Sequence, residues 1–120
     1  MGLNTEFTLD LSYLDEVSGG NKEFIVEMID MFVAQTPAQV SQLVQAIENG
    51  DYKSIASLAH KIKPTLAFVG VEEIRLAFAE AESSAREQRD LEKIKTSFDN
   101  VEQVFEIVVR KLQEKKSEML

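Results

Sequence analysis

Apolar residues recur along this chain at the three- and four-residue spacing of amphipathic helices, in four successive segments. The first spans about 21–49, with a stripe of Phe24, Ile25, Met28, Ile29, Phe32, Val40, Leu43, Val44 and Ile47. Pro37 falls inside it, and Thr36 just before has the chemistry of an N-cap, so the segment is one kinked helix or two helices end to end. The stripe resumes in phase after Pro37, which favours one kinked helix. Gly50 suits a left-handed helix end and Asp51 the next N-cap.

The second segment, about 52–69, carries Ile55, Leu58, Ala59, Ile62, Leu66 and Val69, and Gly70 ends it. The third, about 71–88, opens on Glu72 and Glu73, where the helix dipole favours negative charge. Its buried side is Ile74, Ala77, Phe78, Ala81 and Ala85. Asp90 then reads as the cap of a single fourth helix bearing Leu91, Ile94, Phe98, Val101, Phe105, Val108 and Leu112. Ahead of all four, Phe7, Leu9, Leu11, Leu14 and Val17 predict a short helix that closes one mouth of the core and ends at Gly19-Gly20.

No strand alternation is present, and the short connections imply antiparallel neighbours. The expected fold is all-α: an antiparallel up-down four-helix bundle with a short extra N-terminal helix. Its organisation is an N-terminal segment over 1–20, the bundle over 21–116 and a frayed tail over 117–120. The stripe around Phe32 and Phe98 is core. The acidic groups Glu72-Glu73, Glu80-Glu82 and Glu114-Glu118 read as solvated faces.

Composition narrows the function. A net charge of −8 repels nucleic acid and anionic membrane alike, while 44 % hydrophobic content is too high for a disordered acidic tail. The absence of cysteine excludes disulfides and thiolate chemistry. No secretory signal and no apolar run of roughly 20 residues is seen. These features predict a soluble, cytoplasmic, monomeric protein whose partners are proteins or small molecules. Met1 and the self-contained bundle point to a free-standing protein.

The one histidine, His60, is the most informative residue. At about 100° per residue it falls roughly 150° from the centre of the second segment's stripe, on the solvent side. Lys53, Ala56, Lys63, Pro64 and Ala67 share that face. The compact Ala56, Pro64 and Ala67 would let a flat partner surface reach the imidazole, and Lys63 can place an ammonium near an anion on the ring. An idle surface histidine is the plain alternative.

The run His60-Lys61-Ile62-Lys63-Pro64-Thr65, with Gly70 ten positions after the histidine, resembles the histidine-containing phosphotransfer (HPt) family. His60, Ile62, Lys63, Thr65 and Gly70 match its motif, and Gly50-Asp51, Ala59 and the four-helix plan are similar to it over about 24–112. Pro64 stands where the family usually has Gly. In an ordinary helix interior proline costs about 3 kcal/mol, so a kink and an unbonded carbonyl at His60 are expected.

The resemblance implies a carrier that relays phosphoryl groups between response-regulator receiver domains, or from a hybrid histidine kinase, through phospho-His60. An unperturbed imidazole, with its pKa near about 6.5, is a competent nucleophile at neutral pH. Lys63 is the expected phosphate-stabilising residue, and Lys61, Pro64, Ala56, Ala67 and Gly70 the expected docking residues. Glu82 and Arg86, on the returning third helix, are candidates to orient the ring and to meet phosphate respectively. Thr65 is expected to make a local backbone hydrogen bond. The chain itself needs no cofactor; Mg²⁺ and the aspartate belong to the receiver. No nucleotide-binding loop is present, so neither ATP binding nor autokinase activity is expected.

Two rivals remain. A metal-bearing bundle needs several histidine or thiolate ligands, or a Glu-x-x-His pair from each of two helices, and one histidine cannot supply them. A module that docks receivers without carrying phosphate is the second, and Pro64 lends it support.

Overall fold

The computed structural model describes residues 2–120. Six α-helices are present among them: α1 (Ser12–Ser18), α2 (Lys22–Glu48), α3 (Tyr52–Ile62), α4 (Glu72–Arg86), α5 (Leu91–Ser97) and α6 (Val101–Met119). A 3-10 segment, Lys63–Phe68, continues α3. The long helices form a helical bundle, with the short α1 laid against α2 and the 3-10 segment. A 27-residue helix is about 40 Å long, so α2 spans nearly the whole 44 Å axis of the molecule.

α2 is a single helix through Pro37, as the unbroken stripe requires. Thr36 is therefore no cap but a buried residue of its interior. Asn21 opens α2 by accepting from the Phe24 amide (3.2 Å), and Asp51 opens α3 by accepting from Ser54 N (3.2 Å). Most of the α2 stripe is buried, but Phe24 is exposed. In the N-terminal segment only 12–18 is helical, and Val17 is exposed. Phe7, Leu9 and Leu11 lie in an irregular strap, with Leu9 buried.

Three other expectations are corrected. The fourth helix is two helices, separated by a turn at Phe98-Asp99-Asn100. Asn100 is held there by Leu3, whose amide donates to Asn100 Oδ1 and whose carbonyl accepts from Nδ2, both at 2.8 Å. A side chain engaged by a remote backbone replaces one turn of helix. Asp90 precedes α5 in the left-handed region (φ 64°) and makes no side-chain cap, and Gln88 before it is also left-handed (φ 54°). The third helix accordingly ends at Arg86. At the C-terminus, α6 continues to Met119, so the 117–120 tail is helical nearly to its end.

Pro64 has a different effect from a kink. α-Helical geometry stops at Ile62 and the chain tightens into the 3-10 segment, with Pro64 in its first turn. An N–H is not needed there, so proline fits. Thr65 Oγ1 donates to the Ile62 carbonyl at 2.7 Å.

The core is one cluster running through all these elements. Phe78 is at its aromatic centre, edge-on to Phe98 (5.0 Å between centroids) and to Phe105 (5.8 Å), while Phe32 stacks on Phe105 (6.3 Å). No helix among the described residues is long and apolar enough to cross a membrane.

Candidate functional site

The packing of α3 against α4 brings four side chains from separate turns together. Ile55, Ala59 and Ile62 bury one face of α3, and Ile74, Phe78, Ala81 and Ala85 bury the facing side of α4. His60 is consequently turned outward, with 65 % of its side chain exposed. Glu82 is the exception on α4. It is a carboxylate within the apolar stripe, only 9 % exposed, and not the solvated acidic residue its neighbour Glu80 is.

Glu82 is the centre of the cluster. One oxygen, Oε1, accepts from Lys63 Nζ at 2.7 Å. The other, Oε2, accepts from Arg86 Nη2 at 2.6 Å and lies 2.9 Å from His60 Nδ1. The hydrogen bond from Lys63 chiefly draws the Glu82 carboxyl down to about 2, with further help from Arg86 and His60, against a burial that would raise it. A carboxylate ionised at neutral pH can only accept hydrogen bonds, so the ring proton belongs to Nδ1. In the neutral ring Nε2 then carries the lone pair, on a side chain that is largely exposed.

Charge balance explains why a buried carboxylate is tolerated here. Lys63 and Arg86 outnumber it, and every one of its contacts is charge-assisted or made to a polar ring N–H. Arg86 keeps 59 % of its side chain exposed and Lys63 33 %, so neither cation is sealed off from solvent by its bond to Glu82.

The structure thus gathers His60, Lys63, Glu82 and Arg86 into one group. Lys61 and Pro64 are exposed beside them, and Ala56 is half-buried. Ala67, in the 3-10 segment, is also half-buried. Gly70 is exposed, and its backbone packs against the N-terminal strap. Its φ is +67°, and a Cβ there would overlap the backbone of Asp10, whose amide donates to Val69 O at 3.0 Å. The joint tethering of Lys63 and Arg86 to Glu82 was the part not read from sequence. Its available signal was spacing, since Glu82 follows Phe78 by four and precedes Ala85 by three, on the buried face of α4.

Among the described residues no cluster of three or more His, Cys, Asp or Glu side chains could hold a metal ion. A family model described as "Hpt domain" matches residues 27–108, a stretch that contains the whole cluster. The phosphorelay intermediate protein rdeA of Dictyostelium discoideum is 27 % identical over 103 residues, covering 82 % of this chain and 40 % of that protein. The chain thus spans less than half the length of that relative. No solved structure matches it.

Proposed function

The chain belongs to the Hpt domain family, and on that premise we propose that it is a phosphoryl carrier in a two-component phosphorelay, with His60 as the acceptor. Nε2 attacks the aspartyl phosphate of a receiver domain and later yields the group to a second receiver. The observation that carries this reading is the ionised Glu82 at 2.9 Å from Nδ1, which leaves Nε2 as the exposed nucleophile. Phosphoryl transfer needs alignment and charge neutralisation more than covalent help. Lys63 and Arg86 supply the second, and the α3–α4 packing supplies the first.

The receiver contributes the aspartate and Mg²⁺; this chain contributes no cofactor, binds no ATP and does not phosphorylate itself. Its partners are receiver domains and a hybrid histidine kinase, met as a monomer in the cytoplasm. Exposed Lys61 and Pro64, with Ala56 and Ala67 alongside, form the near rim of the docking surface. A net charge of −8 argues against nucleic acid.

The test is phosphate transfer from Mg²⁺-bound, aspartyl-phosphorylated receivers to the wild type and to His60→Gln. Acid-labile, alkali-stable label is expected on the wild type alone. Binding without label on either protein would leave a docking module, and equal label on His60→Gln would place the acceptor elsewhere.

A further inference from the structure

We infer that Glu82 keeps a proton on Nδ1 after His60 is phosphorylated, so that phospho-His60 persists as a phosphoimidazolium, the form that readily gives its phosphoryl group away. The inference rests on His60 as the carrier and concerns what controls the lifetime of the loaded state. Glu82 is here a positioning residue, since it reaches the phosphoryl group only through the ring.

The bonding follows the atoms already described. On loading, the Nε2–P bond forms and the donor's Asp O–P bond breaks, with that electron pair returning to the donor carboxylate. The Nδ1 proton stays where it is, 2.9 Å from Glu82 Oε2. On unloading, the acceptor carboxylate oxygen bonds to phosphorus and the P–Nε2 pair returns to the ring. The group that leaves is then neutral imidazole, again protonated at Nδ1. If the loaded ring had lost that proton, it would have to leave as an imidazolide anion, a far poorer leaving group. With the proton retained, neither direction requires a base or an acid.

Electrostatics favour retention. The charged groups bonded in the cluster are Lys63 from the 3-10 segment, and Glu82 and Arg86 from α4; the next residue on α3, Lys61, is exposed. A phosphoryl group adds a charge of about −2. Together with Glu82 it balances Lys63, Arg86 and a protonated ring. Loss of the ring proton would leave the cluster with uncompensated negative charge beside a carboxylate that is almost wholly buried.

Loading His60 with phosphoramidate, a small donor that needs no receiver, separates this inference from the relay reading. Hydrolysis of the phosphorylated protein is followed against pH by ³¹P NMR, for the wild type, Glu82→Gln and Lys63→Gln. Hydrolysis falls as the ring deprotonates. That fall is expected at least about one pH unit lower in Glu82→Gln than in the wild type, giving about tenfold slower hydrolysis above it. In Lys63→Gln the carboxylate loses a cation, and the fall is expected at higher pH than in the wild type. A merely structural loosening would move both variants the same way. Shifts in opposite directions support the inference. Coincident profiles, or shifts of one sign, overturn it while leaving transfer from receivers to stand or fall separately.

Discussion

Acid should remove the stabilisation that Glu82 gives to the α3–α4 junction, and Glu82→Gln isolates that loss. The carboxyl is held at about 2 in the folded protein against an ordinary 4.5. Because the folded value is the lower one, folding favours the ionised form. Its contribution is complete above about pH 4.5 and disappears as pH falls towards 2. At about 1.4 kcal/mol per pH unit that interval corresponds to at most about 3–4 kcal/mol. Glu82 is 9 % exposed, but its partners are 33 % to 65 % exposed, and solvent screening brings the expectation to about 2 kcal/mol. Asp10, Asp51 and Glu72 are also held below the usual carboxylate range, by hydrogen bonds from Ser12, Ser54 and Arg75. They are present in both proteins and cancel in the difference. Urea unfolding followed by far-ultraviolet circular dichroism, at about pH 7, 4 and 2.5, gives that difference directly. The wild type's advantage over the variant should shrink by about 2 kcal/mol between the first and last pH. A gap that stays constant across the range would refute the reasoning, because Glu82 would then gain nothing from ionisation on folding.

Gly70→Ala should destabilise by about 2 kcal/mol or more, since a side chain in the left-handed region also overlaps Asp10. Gly50→Ala, equally left-handed but 3.3 Å from a movable Leu91 methyl, should cost about 1 kcal/mol in the same denaturation assay. Asn100→Ala removes both hydrogen bonds to Leu3; about 1–2 kcal/mol is expected, with faster hydrogen exchange at the Leu3 amide. Phe78→Ala empties the aromatic centre and should lower stability by about 3–5 kcal/mol.

Burial periodicity made α2, α3 and α4 readable, and it failed where two geometries bury the same residues. Phe98 and Val101 are three apart whether a helix runs through them or a turn intervenes, and both are buried. The α5–α6 break was therefore silent in the pattern; its cause, Leu3, lies 97 residues away in sequence. Pro64 announced a disturbance without revealing its form, because a proline's missing N–H can be absorbed by a kink or by a change of helix type. His60 was legible because it broke an apolar rule outwards. Glu82 broke the same rule inwards, and a carboxylate between Ala81 and Ala85 reads as part of an acidic face until its counter-charges are found in space. Lys63 belongs to the segment after α3 and Arg86 to the last turn of α4, and only their packing shows that they share one acceptor.

The strap ahead of α1 also has a mechanical consequence. It is pinned at Leu3 to the α5–α6 turn and at Asp10 to the carbonyl of Val69, just past the 3-10 segment. Tension applied to the chain ahead of Gly2 would load the paired Asn100 bonds first and the Asp10–Val69 bond next. Only after both had parted would the pull be transmitted to α1 and α2. The second anchor passes the load to Val69, at the end of the 3-10 segment that continues α3, so a pull on this end reaches the helix bearing His60 before it reaches α1 or α2.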